Sequence, residues 1–341
     1  LSYARLVVGD QFGALLDELE VNLQFVNWRL NKIGKCKFDI AANDPKSTAG
    51  NLKFGNRVLI EFDNGLPAWV GIIDPFRDWD KDLITVNCYD PGEIFQYRIT
   101  DKGRYFTAEA AGSIFKAVID DANIVALTGV LIGEIYSGGD AHSPDYHLKP
   151  LIEIFQDSIL TRLSNYDFGF TGSLVDGVIQ MTANFYEMKG SIKPSTVLIQ
   201  GNNLSEVKLS EQGPIINKWV VAGEGTGWGA ERLTSTAVDQ DSIDTYGLRE
   251  ASRVYGDVKE QGTLDQNAAN LLEQTKDPYN IFTLSAVDAE PAKFSAYDIG
   301  DTVRLIAPDY GFDGTDTMVR ILSREFKPGD GVCDLVVQES L

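Results

Sequence analysis

The chain has two histidines, His142 and His147, five residues apart with Asp140 and Asp145 beside them. Imidazole nitrogen and carboxylate oxygen are ligands that zinc takes, so this cluster is the first place to look for metal chemistry. Its spacing fits no zinc pattern. Such sites want His at i and i+4 on a helix or paired Cys and His, whereas this is a Gly/Ser/Pro stretch expected as a surface loop. Gly223-Glu224-Gly225-Thr226-Gly227-Trp228-Gly229 resembles a phosphate cradle only in composition. Its third glycine falls one residue early for a dinucleotide fingerprint, no Lys follows, and Glu224 would repel a phosphate. It reads as a loop leaving a strand. Neither acidic run, Asp78-Trp79-Asp80-Lys81-Asp82 nor Asp309 to Asp316, fits a calcium loop with its Gly at position 6 and terminal Glu together, and both read as solvated turns. No Gly-x-Ser-x-Gly elbow occurs. Any two of 50 acids could serve a glycosidase, but nothing in the sequence selects a pair. No catalytic, cofactor-binding or metal residue is therefore expected.

Composition narrows the classes further. The 341 residues carry 30 Lys+Arg against 50 Asp+Glu, a net charge of −20, with a pI near 4.5 and no basic run. That balance speaks against gripping duplex DNA by its phosphates. The acidity is concentrated late: residues 201–341 hold 12 basic and 24 acidic groups. Three widely spaced cysteines, Cys36, Cys88 and Cys333, make no disulfide framework and point to a reducing compartment. They read as small core residues; a Cys36–Cys88 bridge across neighbouring strands is open to the sequence but not expected. Leu1 to Asp10 lacks a leader's cationic and apolar regions, so no targeting segment is expected. The most apolar run, Ile124 to Gly133, is too short to span a bilayer.

The elements that must position these residues fall into three stretches. Residues 1–104 read as short strands: Val21–Trp28, Cys36–Ala42, Arg57–Phe62, Pro67–Ile73 and Leu83–Tyr89, with Asn64-Gly65 supplying a tight hairpin turn. Residues 105–204 read as a small α+β unit. Thr107 is expected to cap a helix with Ile114, Phe115, Val118 and Ile119 on one face. Pro150 is expected to open a second helix carrying Ile152, Phe155, Ile159 and Leu163. Strands Phe168–Thr171 and Val178–Ala183 follow. Residues 205–341 return to strands at Ile215–Ala222, Ile281–Val287, Thr302–Ala307, Met318–Arg324 and Cys333–Gln338. They hold one helix, in which Thr263 and Gln266 have capping-box spacing and Pro278 is the stop.

The first and last stretches also resemble each other. Phe54-Gly55-Asn56-Arg57-Val58-Leu59-Ile60 answers Ile299-Gly300-Asp301-Thr302-Val303-Arg304-Leu305, and four strands recur in one order at matching offsets. The expected fold is mainly β: two similar β-barrels flanking the α+β insert. A chain with two similar wedges can close a ring by heterologous contacts.

At these residues the sequence resembles the phage tail hub proteins of the distal tail and baseplate, and the related spike-base proteins of contractile injection systems. The likeness rests on the paired barrels, on VLIEFDNGLPAWVGIIDP (residues 58–75), on Tyr89-Asp90 followed by Arg98, and on IGDTVRLIAPDYG (residues 299–311). The resemblance implies tail-tube-like barrels and a homotrimer that mimics the six-fold tube around a DNA channel. It implies as partners the distal tail protein, the tape-measure protein and a fibre or spike component, in a virion tail assembled in the host cytoplasm. Acids of residues 223–262 would line that channel and let DNA slide. A tail-associated cell-wall hydrolase and a carbohydrate-binding adhesion module are the alternative readings.

Overall fold

The computed structural model describes residues 4–139, 141–160, 166–212, 215–225, 232–256, 258–309 and 314–339, which are mainly strand. The first stretch holds β1 (Ala4–Gly9), β2 (Leu15–Leu19), β3 (Asn22–Arg29), β4 (Lys35–Ala41), β5 (Arg57–Phe62), β6 (Trp69–Trp79) and β7 (Leu83–Tyr89). The hairpin of β5 and β6 forms as expected, with Arg57 opposite Ile72 and Ile60 opposite Trp69. Its connection spans residues 63–68 rather than two residues, and of the Asn-Gly pair only Gly65 takes a positive φ, of 79°. Asn64 turns the chain instead through its side chain, whose Oδ1 accepts from Leu66 N at 3.3 Å.

Next come α1 (Gly92–Gln96), β8 (Arg104–Tyr105), β9 (Glu109–Ala110), α2 (Ala111–Val125), β10 (Val130–Ile135), β11 (Ala141–His142), β12 (Asp145–Tyr146), α3 (Leu151–Leu160), β13 (Asp167–Val175) and β14 (Val178–Tyr186). A sheet in the order β10-β14-β13 carries the helices on one face. Ile114, Phe115, Val118 and Ile119 of α2 are buried against Phe155 of α3 and Phe168 and Phe185 of the sheet, with the Phe115 and Phe155 rings 4.4 Å apart. Thr107 is not the cap: α2 starts at Ala111 after extended Ala110, with no side-chain cap bond. Pro150 does precede α3, and Ile152 and Phe155 are buried; Leu163 lies outside the described residues.

The chain then returns to β structure with β15 (Ile192–Ile199) and β16 (Leu204–Gln212). A small module follows: β17 (Lys218–Ala222), β18 (Thr234–Val238), α4 (Gln240–Tyr246), β19 (Glu250–Val254) and α5 (Gln261–Thr275). The module has its own core of Val221, Tyr255, Val258, Leu264, Ala268 and Leu271. Thr263 sits inside the first turn of α5 rather than capping it, because the helix begins two residues earlier, after Glu260. The last strands are β20 (Asn280–Val287), β21 (Thr302–Ala307), β22 (Thr315–Lys327) and β23 (Val332–Glu339).

Thirteen strands make one sheet, ordered β16-β20-β23-β22-β3-β4-β7-β6-β5-β1-β2, with β21 bonded to β22 and β15 to β21. The repeat is plain in these ladders. The first half runs β4-β7-β6-β5 and the second runs β20-β23-β22-β21, with every one of these pairs antiparallel. Among the described residues neither half closes as a barrel. β22 extends past β21 and pairs its far end with β3 of the other half, Ser323 opposite Arg29 and Phe326 opposite Val26. One core therefore serves both halves, joining Val26, Phe38 and Val86 to Leu284, Phe326 and Leu335. On the other face Val7, Leu59 and Val70 pack into the core of the middle unit, which is why β1 and β5 are apolar on both sides.

Gly55 and Gly300 open equivalent strands with φ of 82° and 92°, in the left-handed region that only Gly enters freely. A Cβ at Gly55 would meet nothing within 4 Å, whereas at Gly300 it would lie 2.4 Å from the Lys189 carbonyl oxygen. Gly55→Ala is expected to cost about 1 kcal/mol, from backbone strain alone, and Gly300→Ala about 3 kcal/mol or more. Urea unfolding of the two variants checks this; equal losses would contradict the packing at Gly300.

Candidate functional site

Among the described residues, several of the side chains that the sequence singles out make structural contacts. His142 is buried at 2% exposure on β11, opposite Glu109, not displayed on a surface loop, because Ala110 and Ala141 zip the two short strands together. His147 does lie outside, with Nε2 2.8 Å from Asp145 Oδ1. The other Asp145 oxygen accepts from Lys259 Nζ at 3.1 Å, an ammonium that stands where a cation would have to sit. Burial tends to raise the Asp145 carboxyl, yet these two partners hold it below the usual carboxylate range. Asp140 lies outside the described residues. Among the described residues no three His, Cys, Asp or Glu side chains gather as a metal-holding group.

The glycine cluster is described only through Gly225. Its first two amides are already taken, Gly223 N by Leu233 O and Glu224 N by Val258 O, both at 2.9 Å, so they offer no cradle to a phosphate. Of the late acidic run, Asp316 accepts two bonds from Arg304, each 2.7 Å, while residues 310–313 lie outside the described set. Cys36 and Cys88 face each other across β4 and β7, buried and unbridged, and burial pushes both thiols well above their ordinary range. Asp90 accepts from Gly34 N at 2.5 Å and Gly92 N at 2.8 Å, fixing the chain after Tyr89; burial nevertheless pushes its carboxyl up to about 7. Arg98 donates to the Ala122 and Ala126 carbonyls, satisfying acceptors at the C-terminus of α2.

What the residues build instead is a set of buried junctions that sequence reading did not pick out. Asp167, 1% exposed, accepts from Asn31 Nδ2 and Lys189 N, each at 2.8 Å, and pairs with the Arg320 guanidinium. Arg320 also donates to the Lys189 and Gly300 carbonyls. One carboxylate thus ties the β3–β4 turn, the middle unit and β22 together. Asn31 reaches it from a left-handed φ of 59°, a conformation Asn tolerates better than most residues. A second junction is Arg324, wholly buried on β22. It donates to the Phe294 and Tyr297 carbonyls at 2.6 Å, with its guanidinium 4.7 Å from the Tyr297 ring centroid. A third is Asp301, which accepts from Lys193 Nζ at 2.7 Å, Ser191 N at 2.9 Å and Asp298 N at 2.8 Å. Burial pushes the Asp301 carboxyl up, but these donors outweigh it and hold the group below its usual range.

Several large apolar side chains stand exposed, among them a group on β6 and β7. The distal half of β6 carries Phe76 and Trp79, 78% and 68% exposed, and β7 adds Leu83 beside them. β5 covers β6 only from Trp69 to Ile72. Beyond that point one flank of the strand has no described ladder partner.

No family model matches the chain, and no curated protein matches it. Solved structures do. The chain is similar to the prophage tail protein gp18 of Listeria monocytogenes, at 12% identity over 98% of this chain and 94% of that one, with a TM-score of 0.62. It is equally similar to the 43 kDa tail protein of prophage MuSo2 from Shewanella oneidensis, at 12% identity, 98% coverage of both chains and a TM-score of 0.62. The tail protein of Neisseria meningitidis gives 13% identity, 99% and 97% coverage and a TM-score of 0.61. The fold is that of phage tail proteins, matched along essentially the whole chain.

The Asp301 junction sets an acid limb for stability. A carboxyl held low in the folded chain contributes its full stabilisation above the ordinary carboxylate range and loses it as pH falls through the folded value. Thermal unfolding followed downward from pH 6 is expected to show a shallower acid limb in Asp301→Asn than in the native chain. Parallel acid limbs would contradict the assignment.

Proposed function

We propose that this chain is a non-enzymatic structural hub of a phage or phage-like tail tip, and that three copies form a ring joining the tail tube to a distal fibre or spike. The observation that carries the reading is the duplicated ladder. One chain holds two copies of one strand arrangement, so three chains present six similar wedges to a six-fold tube. The fold shared with tail proteins of Listeria, Shewanella and Neisseria supports a place in a tail. On this reading the tube-like barrel is completed between chains, and the open half-sheets are its staves. The partners are the distal tail protein, the tape-measure protein and the fibre or spike component, and the site of action is the virion.

The ring surrounds the channel through which DNA leaves. Acids of residues 223–262, among them exposed Asp241, Asp244 and Glu250, belong to its lining and keep phosphates from adhering. Screening confines that repulsion to charges within about 8 Å of the DNA at physiological salt.

Gold-labelled antibody against the chain is expected to mark the tail tip of intact particles, one cluster per tail. Label on the capsid, or along the whole tube, would contradict a hub at the tip.

A further inference from the structure

We infer that the free flank of β6 receives strand β16 of a second copy of this chain, repeating between copies the junction that β22 and β3 make within one. The inference rests on the ring reading and adds to it the strands and register that close the ring.

Equivalent positions in the two halves follow from their hydrogen bonds. Gly55 N donates to Ile73 O at 3.0 Å and Ile73 N to Asn56 O at 2.9 Å. In the other half Gly300 N donates to Ile321 O at 2.7 Å and Ile321 N to Asp301 O at 2.9 Å. Ile73 and Ile321 are thus the same position, and they face Cys88 and Val337. Two residues back along the facing strands, Val86 meets Arg77 and Leu335 meets Arg324. Arg77-Asp78-Trp79 therefore occupies the place of Arg324-Glu325-Phe326: arginine, acid and aromatic in both. The bulge that precedes the triplet is one residue longer in β6.

Their surroundings differ in one respect. The β22 triplet has β3 along its flank, with Trp28 opposite Arg324 and Val26 opposite Phe326, and there Phe326 is 1% exposed. The β6 triplet pairs only with β7 among the described residues, and Trp79 stands 68% exposed. A bare strand flank bearing large aromatics is a template for strand addition.

The repeat also names the strand that fits. β3 lies beside β4 as β16 lies beside β20. Val26 faces Cys36, which faces Cys88; Leu209 faces Phe282, which faces Val337. Leu209 is therefore the counterpart of Val26, and it would meet Trp79 as Val26 meets Phe326. β16 ends the large sheet, and in strand order it lies seven ladder steps from β6, about 34 Å along the sheet at 4.8 Å per step. Among the described residues each chain thus presents one β6 flank and one β16 edge without a further ladder, and such head-to-tail contacts close as a ring when the rotation allows.

The test is site-directed cross-linking of the full-length chain carrying Trp79→Cys and Leu209→Cys; the native thiols at Cys36, Cys88 and Cys333 are buried. A short bis-maleimide is expected to give covalent oligomers ending in a closed species, while Trp79→Cys paired with Val238→Cys gives none. A second measurement needs no cross-linker. Trp79→Asp and Leu209→Asp, each folded by circular dichroism, are expected to sediment as monomers, and their equimolar mixture to recover dimers, since one intact junction remains between them. Absence of the 79–209 bond from rings, or from tail tips that contain the chain, discards the strand pairing and leaves the hub standing. A 79–209 bond in a protein absent from tails keeps the pairing and discards the hub. A chain that stays monomeric and uncross-linked at tens of micromolar overturns the pairing.

Discussion

The far end of β22 pairs with β3, and most of the architecture depends on that one short ladder. Without it the chain would hold two separate half-sheets, each with an unpaired flank. With it they share one sheet and one core. Within this stretch of β22 lies Arg324, a buried guanidinium whose donors reach the Phe294 and Tyr297 carbonyls between β20 and β21 and whose face lies on the Tyr297 ring. Losing a partner from a buried ion pair costs about 3–5 kcal/mol, and carbonyls that lose their donor incur a similar kind of penalty. Across the seam itself Asn27 Nδ2 donates to Glu325 Oε2 at 3.2 Å, while the apolar surface around Phe326 supplies the area.

The Asp167 junction does the same work in the third direction. Its carboxylate gathers Asn31, the Lys189 amide and Arg320, so the middle unit is held to both half-sheets at one buried point. Around that point the contact is apolar, with Val7, Leu59 and Val70 lying against the aromatic cluster of α2 and α3. At Asp167, Asp301 and Arg324, buried charged groups hold separate pieces of chain in place.

Much of this was legible beforehand. The strand pattern, the helix face of α2 and the duplicated Gly-turn-strand signature were visible in the sequence because period and turn chemistry are local. The repeat was visible in its turns, since Gly55 and Gly300 both need a left-handed backbone. The partners of Asp167 and Arg320 were not legible: they lie 153 residues apart, and nothing local distinguishes one acid among 50. The joining of the halves was missed for a related reason, since a strand's sequence does not say which flank will be covered. His142 was misplaced because two-residue bridges leave no periodicity to read. The small module of β17–β19 and α5 escaped as a separate core for want of a composition break at its borders.

The central claim is that two half-sheets in one chain act as two of six staves. The most direct measurement is the rotational symmetry of the assembled ring seen along its axis by electron microscopy. Three copies of the chain, presenting six nearly equal sheet segments around an open channel, is the predicted result. A ring with one sheet segment per copy facing the channel, or a copy number other than three, would contradict it.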